Sequence, residues 1–411
     1  MTYDAMIIGG GASGLIAACA LALRGRRVVL LEQQDRVGRK LLSTGNGRCN
    51  LTHLNAGAGD YHGARQAAQA ALRAWPPGKV MDFFERLGVP CAADGEGRVY
   101  PMSRQAASVL DALRLGCDEA GAQTRTGFKV VRLDRVGGGF EAASEDGRTV
   151  RARRAMVCTG GLAAPRLGAN GSGYALLEGL GHRICPRFPA VAALKTPPEA
   201  VRALKGIRAE GELTLTCGSE ALRREAGEIL FAETGVSGIA AMQLARAANE
   251  ALRAGRRCAV RLDLAPGVDA RAMLKRRAEN LPRRRMEDFL NGIVPKRLGQ
   301  TLAKAAGLDM AMEAGALGGE GLDRLAELLR GWTLPVTGTQ GFEQAQVTAG
   351  GASLKDFDTR TLQSLRAPGL FAAGEVLDVD GDCGGFNLQW AWSSALMAAE
   401  AIDRALEGAR G

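Results

Sequence analysis

A chain of 411 residues has room for two or three domains of roughly 100–200 residues each. Its 46% hydrophobic and 24% charged content belongs to an ordinary folded protein and excludes the disordered and fibrous classes. The formal net charge of +9 suits anionic partners, the three histidines exclude chemistry built on a histidine cluster, and no apolar run approaches the roughly 20 residues that a membrane helix needs.

The first elements are a β-branched run from Tyr3 to Ile8, a glycine turn, an apolar helix and a second buried strand, Val28–Leu31. Gly9, Gly11 and Gly14 fall at the G-x-G-x-x-G spacing, and Glu32 follows 18 residues after Gly14 at the tip of the second strand. The first glycine permits a tight turn, the second lets backbone approach a pyrophosphate, and the third lets helix pack on strand. Free N–H groups and the positive dipole end of the helix suit phosphate. Glu32 suits ribose hydroxyls, and its charge disfavours a 2′-phosphate. The run Leu15–Leu23 lacks the basic segment of a signal peptide, so it reads as a Rossmann helix and the cytoplasm is the expected compartment.

Residues 33–52 follow no period of two or 3.6 and have little to bury. They offer backbone N–H groups and four cations, Arg36, Arg39, Lys40 and Arg48, suited to phosphate or an anionic flavin. Residues 64–89 read as two helices interrupted at Trp75-Pro-Pro77. A short strand at 98–104 leads into a helix from Gln105 to Gly121, and 128–144 forms a hairpin around Gly137-Gly-Gly139. Arg148–Arg153 reads as one strand and Ala155–Gly161 as another, whose end, Thr159-Gly160-Gly161, allows close backbone approach to a nucleotide. Residues 162–181, with a helix at Tyr174–Leu180, read either as an active-site wall, the favoured reading, or as a plain connection.

From Arg187 the pattern changes to short strand-like runs: Val191–Leu194, Glu212–Thr216, Glu228–Ala232 and Cys258–Leu262, with a helix from Ile239 to Arg253. Helices follow at Ala270–Leu281, Arg285–Ile293, Lys296–Ala306 and Gly321–Gly331, before strand character returns from Trp332 to Val347. Between Arg271 and Arg297 nine basic residues stand against three acidic ones. The favoured reading is a solvated helix face in an arginine-rich chain, with nucleic acid as the alternative partner. The nine scattered cysteines include no C-x-x-C pair, which predicts neither a disulfide framework nor a zinc site. Cys49 and Cys383 could form a thiol–flavin relay if folding joins them.

Near the C-terminus, Gly369–Ala373 is a buried strand ending in Gly374-Glu375. A polar loop then enters a helix reaching Leu406. The start of that helix, Gly385–Leu388, can aim its N–H groups at a flavin's N1–C2=O edge, where negative charge builds on reduction. Asp378, Asp380 and Asp382 lack the glutamate and glycine offsets of an EF-hand, so no metal is expected. Trp390 and Trp392 read as packing.

Both ends of the chain resemble bacterial flavoproteins of the BaiN/YhiN type, NAD(P)/FAD-dependent oxidoreductases. The resemblance rests on Gly9–Gly14, Gly38–Thr52, Thr159–Gly161, Phe231–Gly238, Gln346–Gly351, Gly374–Gly381 and Gly384–Ser394. It implies an α/β fold: a glutathione-reductase-like FAD-binding Rossmann domain (1–187 and 348–411) interrupted by a β-barrel-like domain (188–266 and 332–347) that carries a helical insert (267–331). It implies FAD at Ala12 and Ser13, Glu32, Arg39, Lys40, Ser43, Asn46, the backbone of Val130, Gly374-Glu375 and Asn387-Leu388. With Gly9, Gly11, Gly14, Gln33, Thr159, Gly160 and Gly385 these make up the expected cofactor site. Two departures from the pattern are Cys383, where threonine is commoner, and Ser394-Ala-Leu-Met-Ala, which lacks a glycine after the paired serines.

The expected function is an oxidoreductase with non-covalent FAD, possible NAD(P)H as reductant, and a small-molecule substrate bound between FAD domain and insert. The alternatives are a flavin-dependent RNA-modifying enzyme and a non-catalytic flavin redox sensor. The sequence names no catalytic acid or base.

Overall fold

A strand that feeds a glycine turn must be buried on both faces if helices cover both sides of its sheet, and Ala5, Met6 and Ile7 are fully buried. In the computed structural model, which describes residues 2–408, strand Thr2–Ile8 is central to a seven-stranded sheet. It pairs in parallel with Val28–Leu31 on one side and Thr149–Val157 on the other. Gln123–Arg125 extends the parallel part beyond Val28–Leu31. Leu370–Ala372 joins in parallel beside Ala155–Val157. The hairpin Val130–Val136 and Gly139–Ser144 attaches antiparallel at Thr149–Ala152.

The helix Ala12–Ala22 has ten of its eleven residues buried, because it packs between this sheet and the C-terminal helix Phe386–Glu407. Arg26, itself buried, fixes that second contact with a 2.5 Å ion pair to Asp403. These elements belong to one compact unit, Met1–Phe188 with Gln346–Gly411.

The second unit, Pro189–Ala345, is organised differently. Its seven-stranded sheet is antiparallel, and one interior strand, Arg208–Cys217, alternates exposed or half-buried residues with buried ones, as a sheet with one covered face requires. Helix Ile239–Arg253 packs against it. Between strands Cys258–Asp263 and Trp332–Val336 come helices Ala270–Asn280, Met286–Phe289, Lys296–Ala305 and Gly319–Gly331.

Several local expectations are corrected. Arg148–Arg153 and Ala155–Val157 form one strand, Thr149–Val157, whose first half pairs antiparallel and second half parallel on the same edge. The helix expected over Arg285–Ile293 is only Met286–Phe289, because the chain turns at Gly292 with φ +86°. The strand expected at Glu228–Ala232 begins at Glu220, its first half too charged to show apolar alternation. Cys217 and Cys258, opposite one another on adjacent strands, are joined by a disulfide, which the absence of a disulfide framework in the cysteine spacing did not lead one to expect. Forty-one residues separate them, so no short spacing announces the pair.

Candidate functional site

The glycine turn is dictated by contact. Gly9 has φ +105°, and a Cβ there would lie 2.5 Å from the carbonyl oxygen of Cys158. A Cβ on Gly14 would collide with the carbonyl oxygen of Gly9, whereas one on Gly11 would meet nothing within 4 Å. Two glycines therefore serve internal packing, and the third faces open space where the first-turn N–H groups of helix Ala12–Ala22 are free of helical partners.

Glu32 is 8% exposed and its carboxylate is held by backbone: Gly10 N–H donates to Oε2 at 2.7 Å and Gln34 N–H to Oε1 at 2.7 Å. Burial pushes its carboxyl above the usual range, opposed by those N–H groups and by Arg39. Each oxygen keeps a further lone pair for a hydroxyl donor. Phe128 N–H donates to the Glu32 carbonyl, which brings the segment entering Val130 alongside.

The basic segment is stitched to other predicted positions. Gln33 donates to the Gly168 carbonyl at 2.7 Å and accepts from Asn170 at 2.8 Å, and Arg39 donates to Gln34 at 2.6 Å. Ser43 donates to the Lys40 carbonyl, and Asn46 sits in the left-handed region at φ +55°. Lys40 is an ion-pair partner: its ammonium lies 2.8 Å from Glu375. The other Glu375 oxygen accepts the N–H of Thr348, and the Thr348 hydroxyl oxygen accepts the N–H groups of Leu162 and Ala163. A Cβ at Gly161 would collide with that hydroxyl, which explains the glycine. Gly160 has φ +72°. The Thr159 hydroxyl is buried without a partner, against Gly173.

The late segment closes on the early one. Gly374 has φ +77°, and a Cβ there would lie 2.7 Å from Ser13 Oγ. Its N–H donates to Ser394 Oγ, and its carbonyl accepts from Trp390 Nε1 at 3.1 Å. Trp392 Nε1 donates to the Leu51 carbonyl at 3.0 Å. Both tryptophans thus do more than pack: they bind the backbone at the two sides of the site. Gly385, at φ +102°, caps the C-terminal helix, and its Cβ position is 2.6 Å from the Thr52 carbonyl oxygen and 2.8 Å from Asn50 Oδ1. Asn387 closes the preceding loop, accepting from Gly381 N–H and donating to the carbonyls of Gly381 and Asp382. Leu388 follows it in the first turn, half-buried.

Thr348, Ser394 and Asn50 were assigned no role from sequence. Thr348 acts on Leu162 and Ala163, 186 and 185 residues away, Ser394 on Gly374, 20 residues back, and Asn50 sits beside Gly385; all three fall inside the quoted stretches Gln346–Gly351, Gly384–Ser394 and Gly38–Thr52, but their spacing reveals no role. The relay between Cys49 and Cys383 is disfavoured: burial pushes the Cys49 thiol up to about 12 and raises Cys383 as well, so neither is a ready thiolate.

Residues 3–401 match the HI0933-like protein Rossmann domain family. A 3-dehydro-bile acid delta(4,6)-reductase from Clostridium scindens is 36% identical over 401 residues, covering 96% of this chain and 98% of that protein. A ribosomal RNA dihydrouridine synthase from Escherichia coli is 30% identical over 403 residues, covering 97% of each. Among solved structures, 3-ketosteroid delta1-dehydrogenase from Sterolibacterium denitrificans, in complex with 1,4-androstadiene-3,17-dione, shares the fold, with a TM-score of 0.52 at 14% identity over 98% of this chain and 100% of that one. With a match that runs through nearly the whole sequence, the protein belongs to the HI0933-like family and is an FAD-dependent oxidoreductase.

Proposed function

We propose that this enzyme reduces a carbon–carbon double bond conjugated to a carbonyl in a small molecule, with FAD held non-covalently and NAD(P)H as reductant. The observation that carries the cofactor part is the approach of Gly374 to Ser13 beside the open face of Gly11. That approach joins the two stretches proposed to hold the nucleotide and the flavin. The chemistry part is carried by two relatives whose names, delta(4,6)-reductase and dihydrouridine synthase, both describe saturation of such a bond.

In this reading Gly11, Ala12, Ser13 and Gly14 give N–H groups to the pyrophosphate, Glu32 accepts from ribose, and Val130 offers backbone to adenine. Arg39, Ser43 and Asn46 line the phosphate side. Lys40, paired with Glu375, fixes the Gly374-Glu375 turn more than it adds free charge. Gly385, Asn387 and Leu388 present a helix N-terminus whose partial positive charge favours electron-rich ligand atoms. FAD, when bound, supplies the reversible two-electron chemistry. Non-covalent attachment is supported by the sequence of the segments proposed to meet the flavin, since no histidine falls within 374–388. The insert at 188–347, read as barrel-like with a helical insertion, is proposed to govern substrate choice.

Anaerobic titration of the FAD-loaded protein with NADH and NADPH tests the reading. Bleaching of the flavin band, and its return on adding a 4-en-3-one steroid, is expected. A protein that takes no FAD, or whose reduced flavin ignores the enone, disproves it.

One observation favours RNA as the substrate instead. Lys275, Arg276, Arg283, Arg284 and Arg285 are all exposed. Within the same stretch Arg271, Lys275, Arg285 and Lys296 lie within ion-pair distance of Asp323, Glu279, Glu287 and Asp288, which leaves Arg276, Arg283 and Arg284 as exposed cations with no carboxylate that close among the described residues. RNA affinity that falls steeply with salt, and reoxidation by uridine-containing RNA but not by the steroid, would select this reading.

A further inference from the structure

Arg48 and Arg104 lie over the same ring, that of Tyr100, with their guanidinium carbons 5.6 and 5.0 Å from its centroid. The ring is only 6% exposed, while both arginines are exposed. Among the described residues neither guanidinium has a carboxylate within ion-pair distance, although arginines elsewhere, such as Arg98 with Asp94 and Arg151 with Glu141, are paired. Two like charges gathered around one aromatic ring gain from its quadrupole yet repel each other. A shared anion would relieve that repulsion.

The backbone holding them is specialised. Arg104, Asn46 and Cys49 are three of the six described non-glycine residues with positive φ, at +51°, +55° and +55°. Such conformations gather at functional sites, because surrounding structure must hold them there. The location is informative too. Leu51 N–H donates to the Val99 carbonyl at 2.8 Å, and Thr52 pairs with Val99 in a small sheet. Asn50, two residues after Arg48, approaches Gly385, the cap of the helix proposed to face the flavin.

We propose that Arg48 and Arg104, braced by Tyr100, form an oxyanion clamp for the substrate, taking a carboxylate or a phosphate group. Planar guanidinium forks bind both groups in bidentate fashion. Exposure of both heads fits a group arriving from solvent. This inference rests on the proposed flavin end at Gly385. Its oxyanion has two sources, a carboxylated small molecule or the phosphates of RNA.

Isothermal titration of FAD-loaded protein separates these cases. The probes are a 4-en-3-one steroid carboxylic acid, its methyl ester, and a short uridine-rich RNA. For a small-molecule carboxylate, Arg48→Ala and Arg104→Ala each weaken the acid by about tenfold and leave the ester within about twofold. For RNA, each variant weakens the oligonucleotide by about tenfold and reduces its salt slope, with acid and ester unchanged. Equal affinities of wild type and variants for all three probes, or no oxyanion binding by wild type, overturns the clamp. Should the alanine variants fail to fold, Arg48→Lys and Arg104→Lys keep the charge without the fork. They are expected to bind about threefold or more weakly, and wild-type affinity in both would equally overturn it. A variant that retains FAD and is reduced normally isolates failure of the clamp from failure of the flavin reading.

Discussion

The glycine turn at Gly9–Gly14 and the late segment at Gly374–Asn387 are built on different principles. In the first, glycines are required by neighbours a few residues away or on the adjoining strand: Gly14 against Gly9, and Gly9 against Cys158. In the second, bonds within or near the segment, such as Ser394 to Gly374 and Asn387 to Gly381, are joined by constraints from a distant part of the chain: Ser13 beside Gly374, Leu51 under Trp392, and Asn50 and Thr52 beside Gly385. A site made of local rules can be recognised from one stretch, whereas a site made of long-range contacts exists only in the assembled sheet.

The largest test of that contrast is within the turn itself. Gly14→Ala drives a methyl into backbone and is expected to cost about 3 kcal/mol or more of stability, read by denaturant unfolding of the apoprotein. Gly11→Ala places its methyl in open space, so apoprotein stability stays within about 0.5 kcal/mol while FAD affinity falls by about tenfold or more. If the two variants unfold alike, the division between packing and ligand-facing glycines is wrong. In the late segment, Gly374→Ala meets both a left-handed backbone and Ser13, with an expected cost of about 1–3 kcal/mol, and the double variant with Ser13→Gly recovers part of it. Full additivity of the two changes would deny the contact. Trp392→Phe leaves the Leu51 carbonyl without its donor and is expected to cost about 1–3 kcal/mol, seen as a lowered melting temperature.

The smallest effect is a pH dependence at Glu32. Its carboxyl is raised above 4.5, so the folded apoprotein holds that proton more tightly than the unfolded chain. Apoprotein stability from this group is therefore present below 4.5 and declines as pH rises through the raised value. FAD affinity runs the other way, strengthening as the carboxylate forms to accept ribose hydroxyls. Glu32→Gln should flatten both profiles, and opposite slopes that persist in the variant would place their origin elsewhere.

The same contrast explains what could be read in advance. Gly9, Gly11, Gly14 and Glu32 were legible because strand, turn, helix and acid follow in one run, and helix Ile239–Arg253 because its apolar spacing is regular. Thr348 was not, because its hydroxyl matters only through the N–H groups of Leu162 and Ala163, 186 and 185 residues away. Strand Glu220–Ala232 hid its first half behind Arg223, Arg224 and Glu225, whose charges are tolerated where side chains stay exposed or half-exposed. The Cys217–Cys258 bond depended on strand register, which a scan for cysteine spacing does not contain.

The helix Ala12–Ala22 carries one further consequence, for the order in which the molecule comes into being. Its outer face is covered by Phe386–Glu407, and Arg26 waits for Asp403 across 377 residues of chain. On the ribosome, this strand–turn–helix therefore emerges long before its cover, with an almost wholly apolar helix uncovered while the intervening residues are made. Chains emerging at about 5–20 residues per second leave that surface open for tens of seconds, time enough for aggregation or for a chaperone to claim it. The two halves of the proposed cofactor site are thus separated in time as well as in sequence, and on that proposal the flavin is gripped only when synthesis of the late helix is done.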